Sequence, residues 1–268
     1  MNSCCRNHSA ALPLALLGLL LVGGCHDPGE APLSDNGLCQ AETTPVSVIQ
    51  GNGFYSPFED RESTVSGVVT YVSDGEGFYL EDTRVSATGE ASRAIFVADD
   101  SLAGKVEPGQ LWAVAGTVAE RGKKRDRLTS LIRITAEARC GELAELPRTA
   151  SRLPLGSVER EALEGMRVSF DQALTVTNHY NLMRSELTLS ADGVLQVPTE
   201  RVDPGPQARA LADENRQQSL TVTLPGPEPL AVPLGSSVNG LSGLLGHDGK
   251  RLLVQADAGE VLGEDPGL

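Results

Sequence analysis

Short apolar runs recur along the chain after residue 44, separated by glycine, proline and aspartate. Thr64 to Val72 reads TVSGVVTYV, a β-branched run with a glycine inside. A Gly75-Glu76-Gly77 turn follows, then Phe78 to Asp82 (FYLED) and Ala94 to Ala98 (AIFVA). Ser101 to Gln110 is a connector with Pro108-Gly109 as its turn signal. Leu111 to Glu120 and Arg127 to Thr135 complete a first set of strands around the charged turn Arg121 to Asp126. Gly67 and Gly116, inside strands, mark bends that a small closed sheet needs. A second set begins with Met166 to Phe170 and Ala173 to Thr177, with a bulge expected at Asp171-Gln172. It continues through Glu186 to Ser190, Leu195 to Pro198, Leu220 to Leu224, Val238 to Leu245 and Arg251 to Gln255. One segment, Ala208 to Gln217, has helical composition and follows the breaker Asp203-Pro204-Gly205-Pro206. The turn His247-Asp248-Gly249 predicts a terminal hairpin.

The N-terminal residues have a different pattern. One cation, Arg6, precedes the apolar run Ala10 to Val22, which ends at Val22-Gly23-Gly24-Cys25. The run is shorter than the roughly 20 apolar residues a spanning helix needs. A charged start, an apolar middle and small residues before a cut site describe a secretory leader. The cysteine after two glycines resembles the lipobox of bacterial lipoproteins, with valine where leucine is usual. That resemblance implies cleavage before Cys25 and lipid on its sulfur, which would make the membrane a partner. His26, not aspartate, follows the cysteine, which in that family favours the outer membrane over the inner. Asp27 to Asn36 then reads as a flexible tether. An ordinary cleaved leader with a chance cysteine is the alternative.

Charge and cysteines narrow the classes. Removing the leader takes away Arg6 and leaves 21 Lys+Arg against 36 Asp+Glu, a net charge of −15. That balance disfavours a strong non-specific nucleic-acid binder, which needs clustered cations, and a surface that hugs anionic lipid. Cys4 and Cys5 belong to the leader and Cys25 to the lipid, which leaves Cys39 and Cys140. In an oxidising compartment these are expected to form a disulfide; two free buried thiols are the alternative.

Several pieces resemble the non-catalytic region of the bacterial extracellular nuclease family, in which OB-fold modules precede an endonuclease/exonuclease/phosphatase domain. In the first set they are Val48 to Gly53, Val65 to Thr70, Gly77 to Asp82 and Ala115 to Val118. In the second they run in the family's order from Glu164-Gly165-Met166 through Tyr180-Asn181-Leu182, Arg184 and Glu186 to Pro204-Gly205 and Asn215. The strand pattern itself, with a connector between the third and fourth strands of the first set, suits OB-type barrels, and the resemblance implies the same: an all-β chain of two OB-like five-stranded barrels in tandem, with a short helix in the second. The expected boundaries are a leader at 1–24, a tether at 25–43, barrels at 44–140 and 154–257, a linker at 141–153 and a tail at 258–268. The sequence stops where the family's catalytic domain would begin and lacks its Ser-Asp-His triplet. No nuclease activity, cofactor or metal site is therefore expected. Leu220 to Gly226 also departs from the acidic turn that relatives carry there.

Candidate binding residues follow. Arg121, Lys123, Lys124, Arg125 and Arg127 give five cations in seven residues at a turn that could track a phosphate backbone. A solvated hairpin tip is the plainer reading. Phe78, Tyr79 and Phe96 could stack on bases, although alternation sends Phe78 and Tyr79 to opposite faces. Asn178, His179, Tyr180 and Asn181, with Arg184, form the most polar cluster of the second set, either a contact site or a loop held by asparagine side chains. The resulting expectation is a non-catalytic lipoprotein that binds single-stranded DNA or RNA, or a separately encoded nuclease. A structural or protein-interaction lipoprotein, and an endonuclease-family enzyme with an unrecognised site, are the alternatives. Oligomeric state is open.

Overall fold

A computed structural model describes residues 37–84, 91–123, 126–224, 232–247 and 252–256. Cys25, Lys124, Arg125 and most of the expected turn at 247–249 fall outside them. Residues 33–268 form one compact unit.

The first half is a ring of five strands: β1 (Glu62–Ser73), β2 (Gly77–Glu81), β3 (Ala94–Val97), β4 (Gln110–Lys123) and β5 (Asp126–Glu142). They are hydrogen-bonded in the order β1-β2-β3-β5-β4, and β4 returns to β1. Two short helices, α1 (Val46–Gln50) and α2 (Asp100–Ala103), belong to this half. Asp99 caps α2 by accepting from the Leu102 amide at 2.8 Å, as an N-cap aspartate should. The core holds Val65, Val69, Phe78, Leu80, Ile95, Val114 and Leu131, the inward members of each alternating strand. Gly67 sits where β1 passes closest to β2: a Cβ there would lie 2.6 Å from the Glu81 carbonyl oxygen. Gly116 lies at a register shift between β4 and β5, 2.9 Å by the same measure from the Ile132 carbonyl.

The second half is an eight-stranded sheet. Its strands are β6 (Thr149–Ser151), β7 (Arg167–Phe170), β8 (Leu174–Asn178), β9 (Glu186–Ser190), β10 (Ser219–Thr223), β11 (Ser237–Val238), β12 (Leu241–His247) and β13 (Leu252–Ala256). Their spatial order is β11-β8-β9-β10-β13-β12-β7-β6, with β10·β13 and β6·β7 parallel. Helices α3 (Ser157–Ala162), α4 (Pro198–Arg201) and α5 (Pro206–Gln217) accompany it. Val168, Phe170, Leu174, Val176, Leu187, Leu189, Leu220 and Val222 form its core.

These facts overturn the expected fold class. The chain is mixed α and β, with one five-stranded ring and one eight-stranded sheet, not two tandem five-stranded OB-like barrels in an all-β chain. Leu195 to Pro198 forms no strand; it runs into α4. The parallel pairings of β6 with β7 and of β10 with β13 join segments distant in sequence, a feature that local alternation does not encode. Among the described residues no helix is long and apolar enough to cross a membrane.

Cys39 and Cys140 are joined by a disulfide, which clips the turn at Leu38–Gln40 to β5. The two halves meet through polar contacts. Ser92 Oγ donates to the Glu164 carbonyl at 2.6 Å, and Glu81 accepts from the Arg167 amide at 3.2 Å. Gly165, at φ +71°, lies against the Tyr79 ring, where a Cβ would come within 2.9 Å.

Candidate functional site

The polar face of the eight-stranded sheet carries the clearest site. On β9, Leu187 and Leu189 point into the core, so Glu186 and Thr188 face the other way. On β10, Leu220 and Val222 are core, so Thr221 and Thr223 share that face. Strand β8 would place Asn178 on the core side if its alternation ran unbroken. The pairing with β9 shifts between Val176 and Asn178, and this bulge brings Asn178 opposite Thr188. Thr188 in turn lies opposite Thr221. The bulge thus lines up Asn178, Thr188 and Thr221 across three strands.

The β8–β9 connection completes the enclosure. Asn178 Oδ1 accepts from the Tyr180 amide at 2.8 Å, an Asx turn that directs the chain. His179 Nδ1 lies 2.8 Å from the Val232 carbonyl oxygen and anchors the same turn. Asn181 Nδ2 donates to Glu186 at 3.0 Å, and its carbonyl accepts from the Arg184 and Glu186 amides. The result is a cavity of about 160 Å³ lined by Asn178, Tyr180, Asn181, Glu186, Leu187, Thr188 and Thr221. Tyr180 is 89 % exposed at its rim, while Thr221 is only 5 % exposed at its wall. Beside it, Thr223 Oγ1 is buried with no hydrogen-bond partner among the described residues. Buried hydroxyls are rarely left so.

A second feature lies where the halves meet. Glu81 is fully buried, paired with Arg93 at 3.1 Å. Burial nevertheless pushes its carboxyl up to about 7, against the opposing pull of the Arg167 amide and of Arg93. Burial pushes Glu164 well above the carboxylate range, and Glu161 and Glu120 add to the effect. Glu161 is raised to about 7 by burial and by Glu120. Glu120 is held by the Ser56 amide at 2.7 Å and the Thr129 hydroxyl at 3.0 Å. Beside these acids, Gln50, Phe54, Ser92, Val158 and Glu161 line a shallow cleft. Burial and then Glu164 raise the Tyr79 hydroxyl. Among the described residues no group of three or more His, Cys, Asp or Glu is placed to hold a metal ion.

The candidate residues read from sequence fare differently. Tyr180 and Asn181 line the cavity; Arg184 is exposed in the short turn at Leu182–Arg184 and does not. Phe78 is wholly within the core of the ring. Tyr79 is half-buried, edge-to-face on Phe96 with ring centres 4.9 Å apart and with Gly165 against its ring. Phe78 offers no face for a base to stack on, and Phe96 and Gly165 take up much of the Tyr79 ring. Arg121 lies over Phe96 and Arg127 over Tyr55, each guanidinium 5.4 Å from the ring centre. Both cations are therefore engaged with the protein's own aromatics. Lys123 is exposed at the end of β4.

No family model and no curated protein matches this sequence. With the fold class overturned as well, the resemblance to the nuclease OB modules does not hold. The reading as a nucleic-acid-binding or nuclease-associated module falls with it. The pieces that carry the resemblance are stretches of at most six residues, rich in common strand and turn residues, which different folds can share.

Asn178, like Tyr180 and Asn181, belongs to the polar cluster singled out from sequence and lines the cavity; the residues that sequence reasoning missed are Glu186, Thr188 and Thr221. Threonine at strand positions reads as ordinary solvent-facing alternation. The bulge that brings Asn178 into line with Thr188 and Thr221 depends on pairing with β9 and leaves no local signature.

Proposed function

We propose that this chain is an exported, lipid-tethered binding protein whose small polar ligand occupies the β8–β9–β10 cavity. The observation that carries the reading is the bulge at Val176–Asn178. It turns one patch of sheet into a polar-walled enclosure with a nearly buried hydroxyl, Thr221. Bulges recur where a side chain must be re-aimed at a site. Binding rather than catalysis fits the lining. Its polar groups are amides and hydroxyls with one carboxylate, Glu186, which Asn181 holds. Export and anchoring are supported by the leader-like Ala10 to Cys25 segment and by the Cys39–Cys140 disulfide, a bond at home in oxidising compartments.

Two measurements test the reading. Lipid labelling and fractionation of the native chain against Cys25→Ala should move the protein from the membrane fraction to the soluble one. Unchanged membrane association would remove the tether. Thermal unfolding against a panel of neutral, anionic and cationic small molecules should find ligands that raise the unfolding temperature of the native chain. The same ligands should have no effect on Thr188→Tyr, whose ring fills the cavity. A shift equal in both proteins, or none in either, would remove the cavity from the account.

A further inference from the structure

Resting on the cavity reading above, we infer that its ligand is one six-membered ring of a neutral saccharide. Three observations converge on that class. The first is size: about 160 Å³ holds roughly five water molecules at ~30 Å³ each, close to the bulk of a single sugar ring. The second is the lining. Its side-chain polar groups are two amides, two threonine hydroxyls, the Tyr180 phenol and one carboxylate, with no lysine, arginine or histidine among them. An anionic ligand would find no counter-charge there, and the chain's net −14 repels it further. A cation would have to share Glu186 with Asn181, which already donates to it at 3.0 Å. A ligand that presents hydroxyls, each both donor and acceptor, matches amides and hydroxyls better than either ion does.

The third observation is the rim. Tyr180 is 89 % exposed, and the Asn178 Asx turn and the His179 contact with Val232 fix its backbone. An aromatic ring held at the edge of a polar cavity gives the C–H face of a sugar a flat apolar surface, while the hydroxyl edge points inward. Thr221, only 5 % exposed, supplies the most buried polar side chain of the wall. A ring of about a dozen heavy atoms held this way should bind with a Kd on the order of a millimolar.

The test is calorimetric titration of the full chain, solubilised in a detergent without a sugar headgroup. The probes are glucose, N-acetylglucosamine, maltotriose, cellotriose and chitotriose, with spermine and citrate as charged comparisons. The expected result is saturable binding of at least one neutral sugar. Tyr180→Ala should weaken it at least tenfold, and Tyr180→Phe should stay within about threefold of the native chain. Asn181→Ala should weaken it about tenfold. A trisaccharide that binds more tightly than its monosaccharide points to a polymer as the source; equal affinity points to a free or terminal ring. Spermine or citrate binding that depends on Asn181, without sugar binding, overturns the saccharide inference and leaves the cavity reading standing. Binding of no probe that depends on Tyr180 or Asn181 overturns both.

Discussion

Glu81 poses a question of sign that one substitution answers. Its carboxylate is wholly buried between the ring and the eight-stranded sheet. Arg93 pairs with one oxygen at 3.1 Å, and the Arg167 amide donates to the other at 3.2 Å. If the ion pair dominated, the folded state would favour the charged form. Burial instead raises the group from 4.5 to about 7. The folded chain therefore binds more protons than the unfolded chain between those values. Stability from this group is full below pH 4.5 and is lost as the pH rises to about 7. At 1.36 kcal/mol per pKa unit the whole loss is about 3 kcal/mol.

Glu81→Gln keeps the shape of the protonated acid and cannot titrate. Measurements should stay above the pI near 4.7, where the chain would precipitate. Between pH 5.5 and 8 about 2 kcal/mol of the loss remains to be seen. The native chain also carries Glu161, Glu164 and a large negative charge, all of which destabilise it in the same direction. The informative quantity is therefore the difference between variant and native chain. That difference should move in the variant's favour by about 2 kcal/mol from pH 5.5 to 8. For a unit of this size it appears as roughly 4–8 °C in unfolding temperature. Scanning calorimetry at four pH values suffices. If the variant instead loses ground as the pH rises, with a cost of about 3–5 kcal/mol at pH 8, the Arg93 pair governs and the argument from burial is wrong.

Other perturbations probe the remaining supports. Replacing Cys39 and Cys140 with serine opens a loop closed over 101 residues and should cost about 4–5 kcal/mol in denaturant unfolding; a midpoint unchanged from the oxidised protein would contradict that. The Arg160 guanidinium donates to the carbonyls of Leu155, Arg216, Gln217 and Ser219, tying α3 to the end of α5. Arg160→Leu should cost about 3 kcal/mol, and urea unfolding that matches the native chain would show these bonds to be idle. Gly67→Ala drives a methyl into the Glu81 carbonyl and should cost about 1–3 kcal/mol; a neutral result would mean that β1 shifts freely. Burial raises the Glu164 carboxyl, so the native chain loses stability from this group as the pH rises, and Glu164→Gln should gain on the native chain from pH 5.5 to 8; a difference that stays flat or reverses over that range would contradict the effect of burial.

Much of the local structure was legible in the chain. The β-branched run at Thr64 to Val72 and the helical composition at Ala208 to Gln217 fall within β1 and α5. Gly67 and Gly116 lie where another backbone comes closest, as glycine inside a strand suggests. The cysteine count singled out the pair that bonds. The arrangement of strands was not legible. Two parallel pairings and a two-residue strand, β11, build an eight-stranded sheet from segments whose own pattern gives only "strand". The aromatics misled for a related reason. Phe78 and Tyr79 looked like alternate faces of one strand, one of them free. Strand β2, however, has the ring's interior on one side and the Glu164–Gly165 segment of the other half on its other side. Both faces therefore meet protein, and only the long-range packing of the two halves reveals it.

The same cause links the buried acids to the hidden site. A strand residue is polar in sequence whether it meets water, a neighbouring domain or a ligand, and alternation cannot tell these apart. At the junction Glu81 of the ring and Glu164 of the second half are both buried, and burial pushes both carboxyls up. On the far sheet a single extra residue in β8 rotates Asn178 to face Thr188, and a row of unremarkable polar positions becomes the wall of a cavity. In both places the chemistry comes from what the fold places opposite a residue, not from the residue's own type. Deleting Thr177 makes Asn178 follow the core-facing Val176 directly, so it should stay on the outward face opposite Thr188 while the bulge is lost. Ligand-induced stabilisation should therefore survive the deletion and disappear in Asn178→Leu, which keeps the bulge but removes the amide. Loss of binding in the deletion together with retention in Asn178→Leu would show that the wall does not depend on Asn178 facing Thr188.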